Sequence, residues 1–483
     1  MNTVFKLLVI AISCSSSSLG AIENDRYYPR YHLAPPKGWM NDPNGFCIFK
    51  NEYHLFYQYN PDSGKDPGIA HWGHAKSSDL FHWVDLPIAM YPDKTYDADG
   101  VFSGSAVVDS GTMYLFYTGN VNMPNEKPDH KQVQALATST DGITVTKYVS
   151  NPIITGADKQ PDLRDPKVWK HGNYWYMVLG NSFVKDGVSL GRALLYRSSN
   201  RVDWKEVSVL HESDGSLGFM YECPDFFELD GRFVLLFSPQ GIEPQGDRFK
   251  NLYQTGYIVG HFNYNDNLFT PESEFRELDF GHDFYATQTI LDNLGRRLLV
   301  AWLDMWKTDY PEQSDGFTGQ MTIVRTLSLT NDNKLIQKPV TEIAKARGKA
   351  LYMGNAWSGK KVTLSDKAGE VFIIAPRNKN MILTIESDNI VVTVKYDYTE
   401  GTVSLNRGGN DLRRTLYRPQ SKLKLKAFID ASSIELFFGE GEVTFSSRFF
   451  PTGAITVNLK DDSVAEILSV HEMKRTLYLS KDN

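Results

Sequence analysis

Three carboxylates stand in similar settings along this chain. Asp42 lies in WMNDPNG, Asp165 in RDPK and Glu222 in ECPD, each followed within two residues by a proline. Carboxylates brought to one place support two kinds of chemistry. A hard cation such as Ca²⁺ or Mg²⁺ takes oxygen ligands, and a glycosidic bond is cleaved by a carboxylic acid working with a carboxylate. The chain has no Asp-rich loop of calcium-binding spacing, and His71 and His74 in HWGH lack the i, i+4 pairing with a glutamate base. Glycosidic chemistry therefore leads, with no metal and no cofactor expected.

What could bring such distant residues together is a repeat. Five stretches share one pattern of apolar strand, polar turn and very apolar strand: GFCIFKNEYHLFYQYN, GSAVVDSGTMYLFYTGN, DPKVWKHGNYWYMVLGN, CPDFFELDGRFVLLFSPQG and QTILDNLGRRLLVAWLDMW. Tyr53, Tyr114, Tyr174, Phe233 and Leu298 occupy equivalent positions, spaced by 61, 60, 59 and 65 residues. The turns KNE, DSG, KHGN, LDG and DNLG are hairpin chemistry. A second element, AKSSDLFHW, ATSTDGITV and YRSSNRVDW, follows the first three hairpins in phase, and its Trp83 and Trp204 read as blade-core residues. Each unit is thus about four strands, and five units predict a five-bladed β-propeller.

The repeat gives the acids an address. Asp42 and Ser103 lie 11 residues before their markers, Glu222 lies 11 before its own, and Asp165 lies 9 before Tyr174. In a propeller the innermost strands begin at one end of the central channel, so these positions converge there. GWMNDPNGF, from Gly38 to Phe46, reads as a turn that presents Asp42 to the axis, shaped by Pro43 and Gly45.

Beyond the fifth unit the chain becomes polar over 341–350, a linker with a short helix expected around Val340–Ala346. From 351 to 483, short alternating segments such as VFIIAPR, MILTIES, IVVTVKYD and AITVNL read as a β-sandwich. No acids cluster there, so its expected role is structural. The fold class is all-β, with the propeller spanning 21–340. The first twenty residues have the form of a secretory leader, with Lys6, the apolar LLVIAI and small residues up to Gly20. Its apolar run is far shorter than the roughly 20 residues of a membrane span. A secreted protein with no membrane partner after leader removal is expected. Cys47 and Cys223 remain in the mature chain, so at most one disulfide forms and the core must hold the fold. The formal net charge of −7 and the absence of a long basic run argue against a nucleic-acid partner.

WMNDPNG (Trp39–Gly45), FSGS (Phe102–Ser105), RDP (Arg164–Pro166) and ECP (Glu222–Pro224), in that order, resemble the signature blocks of glycoside hydrolase family 32, the β-fructofuranosidases. The resemblance runs along essentially the whole mature chain and is nearest in character to secreted insect enzymes. It implies a propeller followed by a sandwich. It also implies that Asp42 is the nucleophile and Glu222 the acid/base. Arg164 and Asp165 would then hold the fructosyl hydroxyls and stabilise the transition state. Those roles have a physical rationale. Two carboxyls about 5–5.5 Å apart cannot both be anionic cheaply. MYECPDFF surrounds Glu222 with apolar residues, suiting a proton donor, and Cys223 is placed to tune it through its thiol. Asn41, Asn44 and turn amides around Asp42 suit a carboxylate. Arg164 is expected to limit repulsion among the three acids.

Sugar contacts expected from the resemblance and from polarity are Trp39, Asn41, Gln58, Trp72, Phe102, Ser103, Tyr285 and one of Trp302 or Trp306, with Trp302 preferred. Blade packing is the competing reading for Phe102, Trp302 and Tyr285. The implied reaction is retaining release of terminal β-D-fructose, with a small sugar, sucrose first, as substrate. Fructans or 6-phosphorylated sucrose are the alternatives within the family. An inverting arabinosyl or xylosyl propeller hydrolase and a catalytically silent sugar-binding propeller stand outside it. The segments Asn120–Gln132 and Met305–Gly319 are the expected rim loops.

Overall fold

The computed structural model describes residues 24–156 and 162–477, so the leader expected over 1–20 lies outside the described residues. Five antiparallel sheets follow one another along the chain. Their innermost strands are Gly38–Phe49, Val101–Asp109, Leu163–His171, Met220–Leu229 and Tyr285–Leu291. Each packs against the next and the fifth packs against the first, which closes the ring. The five repeat markers all fall at the start of the second strand of their blade.

The very apolar second strands have a simple cause. A blade stacked between two neighbours buries both faces, so alternate residues serve different cores. In Tyr174–Lys185, Met177 and Leu179 join Phe116 and Leu136 of the second blade, while Tyr176 and Val178 join Leu235 and Phe237 of the fourth. Trp83 lies in the first blade's core and Trp204 packs edge-on against Phe116, as expected of blade-core tryptophans. In the fifth blade a long loop separates the second strand, Arg297–Trp302, from the third, Arg325–Leu329. Within that loop Phe317–Thr318 adds a parallel strand to Gly38–Trp39, latching the fifth blade onto the first.

GWMNDPNGF is not a turn. It belongs to one continuous strand, Gly38–Phe49, broken by register shifts between Met40 and Pro43 and between Asn44 and Cys47. Pro43 has no N–H to give to a ladder, and a bulge is where a strand tolerates that. Such a bulge recurs in every inner strand, at Asn41–Asp42, Ser103, Asp165–Pro166, Cys223–Pro224 and Ala286.

The linker is shorter than expected. A 3₁₀ turn covers Thr341–Ala346, and the sandwich begins at once with Arg347–Trp357. Two six-stranded sheets face each other across a core that includes Val371, Ile373, Leu383, Ile385, Leu425 and Leu436. The alternation read from the sequence is the inward face of these strands. The sandwich is joined to the propeller by buried ions. Arg325 pairs with Asp279 and Glu435, Arg448 pairs with Asp304 and Glu312, and His32 bridges Asp430 and Glu435.

Candidate active site

At or beside the bulge, the inner strands of the first four blades turn Asp42, Ser103, Asp165 and Glu222 toward one end of the channel. A cavity of about 900 Å³ opens there, lined by Asp42, Ser103, Asp165 and Glu222 together with Asn41, Gln58, Phe102 and Arg164. In the fourth blade the bulge residue is Cys223, at φ 47°, and Glu222 precedes it. Asp165 adopts φ 64° in its own bulge. Such left-handed backbone is uncommon for residues with a Cβ and persists here because the neighbouring strands hold it.

Each acid has its own holders. Asp42 Oδ2 accepts from Ser103 Oγ at 2.6 Å and from Cys223 Sγ at 3.3 Å, and Asn41 Nδ2 donates to Oδ1 at 3.1 Å. Asp165 Oδ2 accepts from the Cys223 amide at 2.9 Å. Glu222 Oε1 takes Arg164 Nη2 at 2.7 Å and Nε at 3.1 Å, while Oε2 takes Tyr285 Oη at 2.6 Å and Gln240 Nε2 at 2.8 Å. Cys47 and Cys223 are free thiols.

Several expectations change accordingly. Glu222 is not in an apolar setting but is held by an ion pair and two neutral donors. The Cys223 thiol meets Asp42 and not Glu222. Arg164 donates to Glu222, to Asp162 at 2.9 Å and to Gln132 at 3.4 Å and makes no hydrogen bond to Asp165, although its charge still limits repulsion there as expected. Burial pushes the Asp42 carboxyl above its ordinary range and the charge of Glu222 adds to this, while the Ser103, Asn41 and Cys223 donors pull it back in part. Burial also pushes Asp165 up, to about 7, with Arg164 opposing and Glu222 and Asp42 reinforcing. Three negative charges are not cheaply held together here, so both buried aspartates give up their protons less readily than a free carboxyl does.

Four expected sugar contacts stand behind the wall and not in it. Trp39 is buried and its indole N–H donates to Asn41 Oδ1 at 2.9 Å, fixing the amide that reaches Asp42. Trp72 is fully buried between the first two blades, where it donates to the Phe102 carbonyl at 3.0 Å. Tyr285 is fully buried and touches Glu222 through its hydroxyl. Trp302 is fully buried beneath Trp306, at 4.9 Å between ring centroids, and Trp306 is the one that lines the cavity. Large rings on strands adjoining the bulges fill the space between blades, which is the packing reading. Both expected rim loops do reach the cavity, through Asn120, Pro124, Asp129, His130 and Gln132 and through Trp306 and Lys307.

A second tier went unread in the sequence. Two residues after each bulge residue come Asn44, Ser105, Lys167, Asp225 and Gln288, the next side chains on the same face of each inner strand. They tie the blades together under the acids. Gly104 N–H donates to Asn44 Oδ1 at 3.0 Å, Val168 N–H to Ser105 Oγ at 3.1 Å, and Lys167 Nζ lies 3.1 Å from Asp225 and 3.2 Å from Gln288 Oε1. The period-two spacing was the signal that could have found them. The sandwich also reaches the site indirectly, since Arg448 holds Asp304 and Glu312 on either side of Trp306.

Comparison with known proteins decides what this constellation belongs to. Residues 32–339 match the glycosyl hydrolases family 32 N-terminal domain and residues 330–472 match the family 32 C-terminal domain. The chain belongs to glycosyl hydrolase family 32. Among similar proteins, a sucrose-6-phosphate hydrolase of Zymomonas mobilis is 40% identical over 481 residues, covering 92% of this chain and 91% of that one. A raffinose invertase of Escherichia coli is 37% identical over 450 residues, covering 90% and 91%. A Bombyx mori GH32 β-fructofuranosidase, solved also as a mutant in complex with sucrose, superposes with TM-score 0.89 at 40% identity, covering 94% of this chain and 96% of that one. This family 32 chain is therefore an all-β propeller and sandwich of glycosidase type.

Proposed function

We propose that the protein is a retaining β-fructofuranosidase that releases β-D-fructose from the non-reducing end of small fructosides, sucrose first. The observation that carries this reading is the convergence of Asp42, Asp165 and Glu222 in one cavity, with a different set of partners for each. Asp42 attacks the anomeric carbon as Glu222 protonates the departing glycosidic oxygen. Glu222 is then an anion, and Arg164, Tyr285 and Gln240 are donors already aimed at that anion. In the second half-reaction it takes a proton from the water that releases fructose. Asp165, pinned by the Cys223 amide, offers a fixed carboxylate to the positive charge that develops on the sugar ring.

Relatives named for sucrose-6-phosphate and for raffinose leave the leaving group open, and the cavity favours a neutral one. Its wall carries five carboxylates, Asp42, Asp129, Asp162, Asp165 and Glu222, against Arg164, His130 and Lys307. Export of the enzyme is proposed on the leader-like residues 1–20 and is checked by the N-terminus of the protein recovered from medium.

Hydrolysis of sucrose in the presence of methanol tests the mechanism. Retention gives methyl β-D-fructofuranoside, and a product of the α configuration would rule out a covalent intermediate on Asp42. Asp42→Ala is expected to lower kcat by several orders of magnitude while leaving the thermal melt near that of the native protein.

A further inference from the structure

A chain of charged groups leads from the cavity rim to Glu222. Arg164, whose Nη2 and Nε serve Glu222, gives its Nη1 to Asp162 Oδ1 at 2.9 Å. The same carboxylate oxygen meets His130 Nε2 at 3.2 Å, and His130 Nδ1 lies 2.8 Å from Asp129 Oδ1. All five residues line the cavity. Asp162 comes from the approach to the third blade's inner strand and its carbonyl is anchored by the Ser182 amide and by Asn181 Nδ2. His130 opens the third strand of the second blade. The arrangement therefore joins three blades, and none of its outer members is required by the reaction as derived above.

We infer that Asp162 and His130 are positioning residues that share the Arg164 guanidinium with Glu222 and so set the pH at which Glu222 can act as proton donor. The inference rests on the reading of Glu222 as acid/base. A guanidinium between two carboxylates divides its field between them. Asp162 draws charge away from Glu222, and an imidazolium behind Asp162 restores it. Both imidazole nitrogens face carboxylates, which only the doubly protonated ring can serve with two N–H donors. The Asp162 bond holds His130 above its ordinary value, with Asp129 adding to it against partial burial. The charged groups that face the imidazole are Asp129 and Asp162, with Arg164 and Glu222 behind Asp162.

The experiment is kcat/KM for sucrose against pH in Asp162→Asn, His130→Gln and Glu222→Gln, with a thermal melt of each. Removing the nearer negative charge in Asp162→Asn moves the alkaline limb down by about half to one pH unit, and removing the positive charge in His130→Gln moves it up by a smaller amount. A residue that merely supports the fold would lower the profile without moving its limbs in opposite directions. Limbs that stay in place, or move in the same direction, overturn the inference while leaving the acid/base assignment intact. If Asp162→Asn does not fold, the upward shift in His130→Gln alone decides. Glu222→Gln that retains turnover overturns the acid/base reading and the inference together.

Discussion

Replacing Ser103 with alanine removes the hydroxyl that donates to Asp42 Oδ2 at 2.6 Å. Asp42 is only 8% exposed, so water does not simply take the hydroxyl's place. The remaining side-chain donors are Asn41, at 3.1 Å to the other oxygen, and Cys223, whose thiol at 3.3 Å is a weak one. A hydrogen bond to a charged group contributes about 1.5–3 kcal/mol. At about 1.36 kcal/mol per pH unit, its loss is about one to two units. The sign follows from the site. Burial already holds the Asp42 carboxyl above its ordinary range, and losing a donor favours the protonated form further. The acidic limb of kcat/KM for sucrose should therefore move up by about one to two units, lowering kcat/KM well below the limb about 10- to 100-fold. Ser103 also lines the cavity, and a lost sugar contact would lower the whole profile by one factor without moving its limb. An acidic limb that stays where it is in the native enzyme would refute the claim that Ser103 acts through the ionisation of Asp42.

Three further outcomes separate wall from support and test the domain interface. Trp306→Ala should raise KM for sucrose about tenfold, a loss of about 1.4 kcal/mol of binding, with little change in melting temperature. Trp302→Ala, which removes a fully buried ring beneath it, should cost about 3–5 kcal/mol of stability, read by denaturant unfolding. His32 is buried between Asp430 and Glu435. Burial alone would lower it, but its hydrogen bonds to the two carboxylates prevail and raise it from 6.5 to about 9. A raised folded-state value means that this stabilisation is complete below about pH 6.5 and is lost as pH rises through about 9, roughly 3 kcal/mol in all. Melting temperature should fall across that window, and His32→Gln should flatten this part of the profile.

The five blades were legible because an apolar strand buried on both faces and a polar hairpin turn recur at a nearly constant interval, and both are local properties. The same is true of Asp42, Asp165 and Glu222, whose place within the repeat brought them to one end of the channel. GWMNDPNGF misled for a local reason as well. Proline, glycine and asparagine mark turns when only neighbours are considered, whereas here a second strand and a latch from Phe317–Thr318 hold the segment extended and confine the irregularity to bulges. Trp39, Trp72, Tyr285 and Trp302 were placed against the sugar because aromatic rings suit either a cavity wall or the space between blades, and composition does not choose between them.

Sequence alone determined which residue types recur at which interval, and with them the ring, the sandwich and the three acids that meet. Tertiary structure decided whom each acid meets. Arg164 adjoins Asp165 in the chain yet pairs with Glu222, 58 residues away, and Cys223 adjoins Glu222 yet donates its thiol to Asp42. At these bulges the backbone leaves the extended form, so neighbours such as Arg164 and Asp165 share one cavity wall, yet the inner strands converge there and most of their partners come from other blades. Hydrogen bonds, burial and charge are properties of those partners, and they exist only once the ring has closed.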